Sequence, residues 1–445
     1  MQRFAEMGLR RGGRVAGAIG VMMLVAGGVL CAEVAVPEPA SCLSLEAAVE
    51  MALRENAGLR AAAARVEGAE ARAAAAGLWP GAGLEVGFED GPAAGARSLF
   101  EAKQTVGVTQ TFPWPGKRRL DRQVGRMGLE LEQAEQKIRR MELVREVKTA
   151  FVRVLAAEEA LRISEELEQV TEAAVSVARE RVAAGDASEI DLLRLEIGAA
   201  RVRNEAAVWR ERRQHGRAML ALLLGRPDLR EARLCEPEPD LVERARAVLT
   251  VGTASGAESP VLEVARLQQQ QAELEWRRAR LEVWPDPTVT VAAGRGAAPD
   301  RDAVVELRLT FPLPPWDGGQ SRRRESWARM QERAALAVAA AQRHQLHMTA
   351  ARARVATCLE RVVRYREEIL PRAMAGLQGA ETAVAEGRWG LADVLAARQT
   401  LAELRLAYVE QWLELGLAVA ELEALEGPGD ERFLGPGASG TKDDP

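Results

Sequence analysis

Apolar residues fall along the chain in two different rhythms. From Lys117 to about Val182 there is no proline, and Leu120, Val124, Met127, Leu131, Ala134, Ile138 and Met141 follow one another at gaps of 4, 3, 4, 3, 4 and 3. That is a heptad seam. At about 1.5 Å per residue, the run makes a helix of roughly 100 Å, wider than any single globular core. It must be a coiled coil, a rod or a tunnel wall. The second rhythm is strict alternation. It runs over residues 84–90 and 104–112, with the loop residues Gly91, Pro92 and Gly95 between, and predicts a hairpin.

The elements then come in order. An alanine-rich helix runs from Leu43 to Leu78, with Ser44 as its cap, and Trp79-Pro80 ends it. The hairpin follows. The long helix starts at Lys117, turns back over residues 183–190, and is followed by a helix from Glu189 to about Leu224. Residues 226–258 read as a polar linker. The whole pattern then repeats. A helix from Pro260 to Val283 ends at Trp284-Pro285, and strands follow at about 287–293 and 303–311. A second long helix from about Gly318 turns back over 385–392 into a last helix ending near Glu426. Trp114, Gly116, Gly185, Asp191 and Gly225 each recur 202 residues later, as Trp316, Gly318, Gly387, Asp393 and Gly427. The repeats span 43–225 and 259–427, and the glycine- and proline-rich tail 428–445 reads as disordered.

The strand faces suggest where the hairpins sit. Leu84, Val86 and Phe88 oppose Glu85, Gly87 and Glu89, while Val305, Leu307, Leu309 and Phe311 oppose Val304, Glu306, Arg308 and Thr310. One face suits lipid and the other a wet lumen, where Glu85, Glu89, Glu306 and Arg308 would tune passage electrostatically. Eight of the eighteen aromatic residues (Trp79, Phe88, Phe100, Phe112, Trp114, Trp284, Phe311 and Trp316) lie in these two stretches, mostly at strand ends. Four strands cannot close in lipid, so other copies must complete the sheet, and three copies give twelve strands.

Composition adjusts this picture. The 445 residues are 47% hydrophobic but only 4% aromatic, which suits close packing of alanine-rich helices. A net charge of −5 with interspersed signs argues against nucleic acid as a partner. Residues 1–32 read as a secretory signal peptide, with arginines ahead of an apolar run from Val15 to Leu30. Cys31 stands where a lipid-modified cysteine would, but Leu30 precedes it where a small residue is wanted, so lipidation is the weaker reading. Cys42, Cys235 and Cys358 make no metal motif. A Cys42–Cys235 bridge is open, with free thiols the favoured reading. His344 and His347 stand at i, i+3, a spacing that can hold a metal, though a solvated pair fits the helix surface better. No phosphate loop, zinc-spaced cysteine pair or catalytic elbow occurs, so no enzyme and no cofactor are expected.

With these residues in place, the chain resembles the TolC family of outer membrane efflux proteins. The likeness rests on the duplicated plan, on the opening run from Leu45 to Asn56, on the run from Gln110 to Arg118, and on the turn segments 185–191 and 387–393. The run from Pro113 to Arg118 resembles the heavy-metal, cobalt–zinc–cadmium branch. The resemblance implies a mainly α fold with a small transmembrane β part, in which a trimer forms a twelve-stranded barrel on an α-helical periplasmic tunnel. It implies residence in outer membrane lipid, a periplasmic adaptor (membrane fusion) protein and an inner-membrane pump of resistance-nodulation-division type as partners, and the linker in an equatorial belt. The expected function is a passive exit duct. The alternative is a soluble periplasmic coiled-coil structural or adaptor protein. The family's gate lies at the periplasmic tip. Carried over, it gives Asp393 as the ring residue and Arg388 as its partner, with Asp191, Glu189, Gly185 and Gly387 around them; a second aspartate expected three residues after Asp393 is Ala396 instead. Asp393 reads equally well as a helix-cap charge.

Overall fold

A computed structural model describes residues 42–89, 102–235, 241–251, 259–297, 301–313 and 317–427. The expected signal segment with Cys31, the tail, Phe100 and Trp316 lie outside the described residues.

Where one opening helix was expected there are two. Helix α1 (Leu45–Glu55) starts at Ser44, whose hydroxyl accepts from the Ala47 N–H at 3.2 Å. Asn56 then leaves the helical region (ψ 124°) and its side-chain oxygen accepts from Gly58 and Leu59, opening α2 (Ala57–Ala75). An asparagine that caps its own backbone offers the chain an alternative to continuing the helix. Strands β1 (Gly83–Glu89) and β2 (Lys103–Thr111) follow, then α3 (Lys117–Ala183), 67 residues long, and α4 (Glu189–Leu224). The segment expected as a plain linker holds a 3₁₀ turn (Pro227–Glu231) and a helix, α5 (Leu241–Val251). The second repeat gives α6 (Pro260–Arg280), β3 (Thr288–Arg295), β4 (Ala303–Thr310), α7 (Gln320–Arg364), α8 (Leu370–Ala385) and α9 (Leu391–Glu426). The second long helix is therefore interrupted. A π turn, Tyr365–Ile369, joins α7 to α8 just ahead of Pro371. Proline has no N–H for the helical ladder and its ring crowds the carbonyl four residues back, so a wider turn there relieves the clash.

All four strands form one antiparallel sheet in the order β1-β2-β3-β4. The central pairing, β2 with β3, joins hairpins from different repeats, with Thr111 opposite Thr288. Below the sheet the helices keep the same order. Helix α2 packs on α3, α3 on α6, and α6 on α7. Lys117, the first residue of α3, is buried at this junction. Its ammonium donates to the Trp284 carbonyl at 2.7 Å and to Asp286 at 2.8 Å, and Asp286 also accepts from the Trp114 N–H at 2.7 Å. Burial pushes the Asp286 carboxyl up, but Lys117 and the backbone donor outweigh it and hold the group below its ordinary value. Trp114 stacks on Trp284 at 4.9 Å.

Two cores mirror each other further down. One gathers Ala48 and Ala52 of α1 around Leu143, Val147, Phe151 and Leu224, and the other gathers Val242 and Ala245 of α5 around Val355, Val362, Leu415 and Leu422. Small residues let the rods approach: a Cβ on Gly416 of α9 would stand 2.6 Å from a Val152 methyl of α3. The favoured reading of free thiols at Cys42 and Cys235 is corrected here, because the two are joined in a disulfide. A parallel bridge between Leu43 and Leu234 holds the flanking backbone, so the cysteines meet across 193 residues of sequence. Cys358 is free and buried.

Candidate functional site

The alternation along the strands becomes two faces of one sheet. On one face Leu84, Val108, Val291 and Leu307 lie in register, as do Val86, Val106, Ala293 and Val305. These side chains are exposed, Leu84 at 75%, Val305 at 78% and Leu307 at 76%. On a soluble protein such a patch would be a liability.

The other face is polar and gathers all four side chains the sequence placed on a lumen. Arg308 reaches Glu85 at 3.1 Å, Glu89 at 3.2 Å and Glu306 at 3.7 Å. A fifth member was not among the sequence candidates. Lys103 pairs with Glu89 at 3.1 Å and with Glu306. It lay one residue before the expected start of β2, although the alternation extends to it and its register partner is Glu89. Threonines continue the polar row, with Thr109 donating to Glu85 at 2.9 Å and sharing a hydrogen bond with Thr290 at 2.8 Å. Small residues let β2 and β3 approach closely on this face. A Cβ at Gly107 would stand 2.6 Å from the Ala292 Cβ. The network of five charges carries three acids and two bases, an arrangement able to bind and pass ions.

The second group lies at the far end of the long helices. Helix α3 ends at Gly185 (φ 83°), and α8 ends at Gly387 (φ 72°). In each turn the glycine N–H reaches the carbonyl three back, and the next N–H reaches the carbonyl five back: Gly185 to Val182 and Asp186 to Arg181, Gly387 to Val384 and Arg388 to Ala383. Both are Schellman ends, which need the left-handed backbone that glycine adopts without strain. Ser188 caps α4, and Glu189 stands exposed in its first turn. Asp191 lies 3.5 Å from Arg194. Asp393 turns back and accepts from the Gly390 N–H at 2.9 Å, capping α9.

The expected Asp393–Arg388 pairing is corrected within the subunit. Arg388 pairs with Glu386, two residues before it in the same turn, and the Asp393 carboxylate is committed to the cap. A pair of cross-helix bridges that the sequence reading missed stands just above. Arg179 of α3 meets Glu196 of α4 at 2.8 Å, and Glu381 of α8 meets Arg398 of α9 at 2.8 Å. The positions are related by the same 202-residue step, with the charges exchanged. Comparing the repeats at that offset would have exposed them.

Residues 48–226 match the family described as outer membrane efflux protein. The cobalt-zinc-cadmium resistance protein CzcC of Cupriavidus metallidurans is 26% identical over 385 residues, covering 84% of this chain and 87% of that protein. Both likenesses are to outer membrane efflux proteins of the TolC type. Solved outer membrane channels share the fold. VceC of Vibrio cholerae matches with a TM-score of 0.66 at 20% identity, over 86% of this chain and 96% of that one. CmeC of Campylobacter jejuni matches at 0.70 and 14% identity, over 86% and 85%. CusC matches at 0.69 and 16% identity, over 86% and 92%.

On these likenesses the chain is an outer membrane exit duct extending into the periplasm, and not an enzyme. The soluble adaptor alternative is set aside. Such ducts work with a periplasmic adaptor and an inner-membrane pump. Among the described residues no helix is long and apolar enough to cross a membrane.

Proposed function

We propose that three copies of the chain close their sheets into a single twelve-stranded barrel, and that the duct carries divalent heavy-metal ions delivered by a pump of the resistance-nodulation-division type. The observation that carries the assembly is the open sheet. Strands β1 and β4 are its edges, and its apolar face is bare. Lipid tolerates neither unpaired strand edges nor an incomplete ladder. Pairing β4 of one copy with β1 of the next removes both. In this reading residues 226–258 lie in an equatorial belt, and the turns 183–190 and 385–392 form the periplasmic tip. Asp393, with Asp191, Glu189 and Arg388 beside it, lines the closed end across subunits. The cargo reading rests on the likeness to CzcC, whose name gives cobalt, zinc and cadmium.

Native mass spectrometry of the detergent-extracted protein tests the assembly. A trimer is expected, and a monomer or dimer under conditions that keep the protein folded overturns it. Loss of the chain from a host carrying the matching pump should raise sensitivity to zinc, cobalt or cadmium. Unchanged sensitivity to all three rejects the cargo. For the tip, Asp393→Asn should lower cation selectivity and loosen closure in planar bilayers, and wild-type conductance and selectivity would remove Asp393 from the gate.

A further inference from the structure

Immediately below the sheet, where α6 ends and α7 begins, a groove of about 360 Å³ is lined by Trp276, Arg280, Gln320, Arg323, Arg324 and Trp327. We infer that this groove binds the phosphate of an anionic phospholipid headgroup in the periplasm-facing leaflet. The inference rests on the barrel reading for the depth of the groove in the membrane, and on the residues of the groove for its chemistry.

The depth comes from the aromatic girdle. Trp79, Trp284 and Phe311 cluster where the strands meet the helices and are each more than half exposed. Tryptophan at this position marks the boundary between hydrocarbon and headgroups. Arg280 is the last residue of α6, four before Trp284, and Arg323 and Arg324 lie in the first turns of α7. A helical turn rises about 5.4 Å, so these guanidinium groups sit at the depth of the phosphates rather than of the acyl chains.

The charge of the groove is not offset from within. Four acids on the surrounding helices hold other bases: Glu282 holds Arg322, Glu273 holds Arg277, Glu325 holds Arg329, and Asp121 holds Arg278. Among the described residues Arg280, Arg323 and Arg324 have no carboxylate partner, so the groove presents three unneutralised charges. Asp317, just ahead of α7, accepts from the backbone N–H groups of Gly319 and Ser321. Arg280 lies over the Trp276 ring with its guanidinium 5.2 Å from the ring centre, which leaves its edge free to donate. Guanidinium groups match phosphate oxygens in a paired geometry, and the ring of Trp327, half exposed, offers a flat apolar wall to the glycerol end of a lipid.

The test uses the full mature protein in detergent, titrated with dioleoyl phosphatidylglycerol, with the matching phosphatidylcholine or with inorganic phosphate, and read by native mass spectrometry. Phosphatidylglycerol adducts should exceed phosphatidylcholine adducts. A triple variant, Arg280→Gln, Arg323→Gln and Arg324→Gln, should bind phosphatidylglycerol at least roughly tenfold more weakly. A control variant in the other basic run, Arg210→Gln, Arg212→Gln and Arg213→Gln, should bind it as the wild type does. Equal adducts in wild type and triple variant overturn the site. Full displacement of the lipid by inorganic phosphate assigns the groove to a free anion and overturns the lipid. A triple variant that shifts ion selectivity in bilayers while keeping its lipid adducts places the groove on the lumen, which also overturns it. Outer membrane fractionation of the wild type is read separately. If the chain does not reach that membrane, the barrel reading has failed and the lipid site falls with it, whereas a correctly inserted protein without selective adducts rejects the groove alone.

Discussion

Replacing Leu307 with arginine separates a membrane barrel from a sheet that stands in water. Leu307 lies in the middle of β4, 76% exposed, in register with Val291, Val108 and Leu84 on the bare apolar face. In water, substitution of an exposed leucine away from any special feature changes stability by about 0.5 kcal/mol or less. In a bilayer, arginine on the lipid face of a barrel costs about 2–4 kcal/mol at the midplane. That corresponds to roughly a 30- to 700-fold loss of folded barrel for each copy, at about 1.4 kcal/mol per factor of ten. The next residue supplies the contrast. Arg308 already carries a guanidinium one step along the same strand, but on the opposite face, where it meets Glu85 and Glu89. Arg308→Leu removes exposed ion pairs only, and should cost about 1 kcal/mol or less. The assay is refolding from urea into lipid vesicles, followed by the heat-modifiable band of the folded barrel. The expected order is a large loss for Leu307→Arg and a small one for Arg308→Leu. If Leu307→Arg refolds within about 0.5 kcal/mol of wild type, the apolar face is not against lipid and the reasoning fails.

The charge-exchanged bridges at the tip should behave as weak clasps. Glu381→Arg alone sets two like charges together and should raise channel opening in bilayers modestly, since exposed pairs contribute about 0.2–1 kcal/mol; adding Arg398→Glu should restore closure, and failure of that rescue would remove the bridge from the tip. The Cys42–Cys235 disulfide closes a long loop, so Cys42→Ser should destabilise the detergent-extracted protein by about 2–5 kcal/mol, measured by thermal melting, and should abolish the effect of added reductant. Glu423, 16% exposed, is held by Lys148 at 2.6 Å and by Arg244 at 2.7 Å. Burial raises its carboxyl, but the two cations outweigh that and lower it below the ordinary value of 4.5. The sign of that shift places its contribution to stability above about pH 4.5, with loss as the pH falls further, so Glu423→Gln should flatten the acid side of a melting-temperature profile while leaving the slope near neutrality unchanged.

What could be read in the sequence was local. Heptads, alternation, the Trp-Pro breaks and the paired glycine turns each express a preference within a few residues, and the copy 202 positions on doubled each signal. What could not be read was long-range or depended on geometry inside a single turn. Nothing in either hairpin states that β2 pairs with β3, because that register is set by helices α3 and α6 holding the two hairpins side by side. The disulfide stayed an open pairing for the same reason: two cysteines near segment ends do not by themselves show that they meet across 193 residues. The break at Asn56 and the π turn ahead of Pro371 are local, yet each follows from one side chain overruling a good helical pattern. At Asp393 the cap is visible in one subunit, while a role at a ring of subunits depends on copies that a single chain does not contain.

The exchanged charges say something about the duplication that the matching glycines do not. Glycines at the turns are kept because the backbone there has positive φ, and any second copy of the hairpin needs them. The pair Arg179–Glu196 and its counterpart Glu381–Arg398 satisfy the same contact with opposite polarity. Either polarity would hold one hairpin equally, and each pair is too exposed to contribute much to stability. Polarity matters only for what stands alongside. In the subunit α3 packs against α9, so the exchange brings two cations, Arg179 and Arg398, onto neighbouring helices, where two identical hairpins would have set a cation against an acid. Each arginine is therefore neutralised inside its own hairpin, by Glu196 or by Glu381, rather than by the other across the α3–α9 seam.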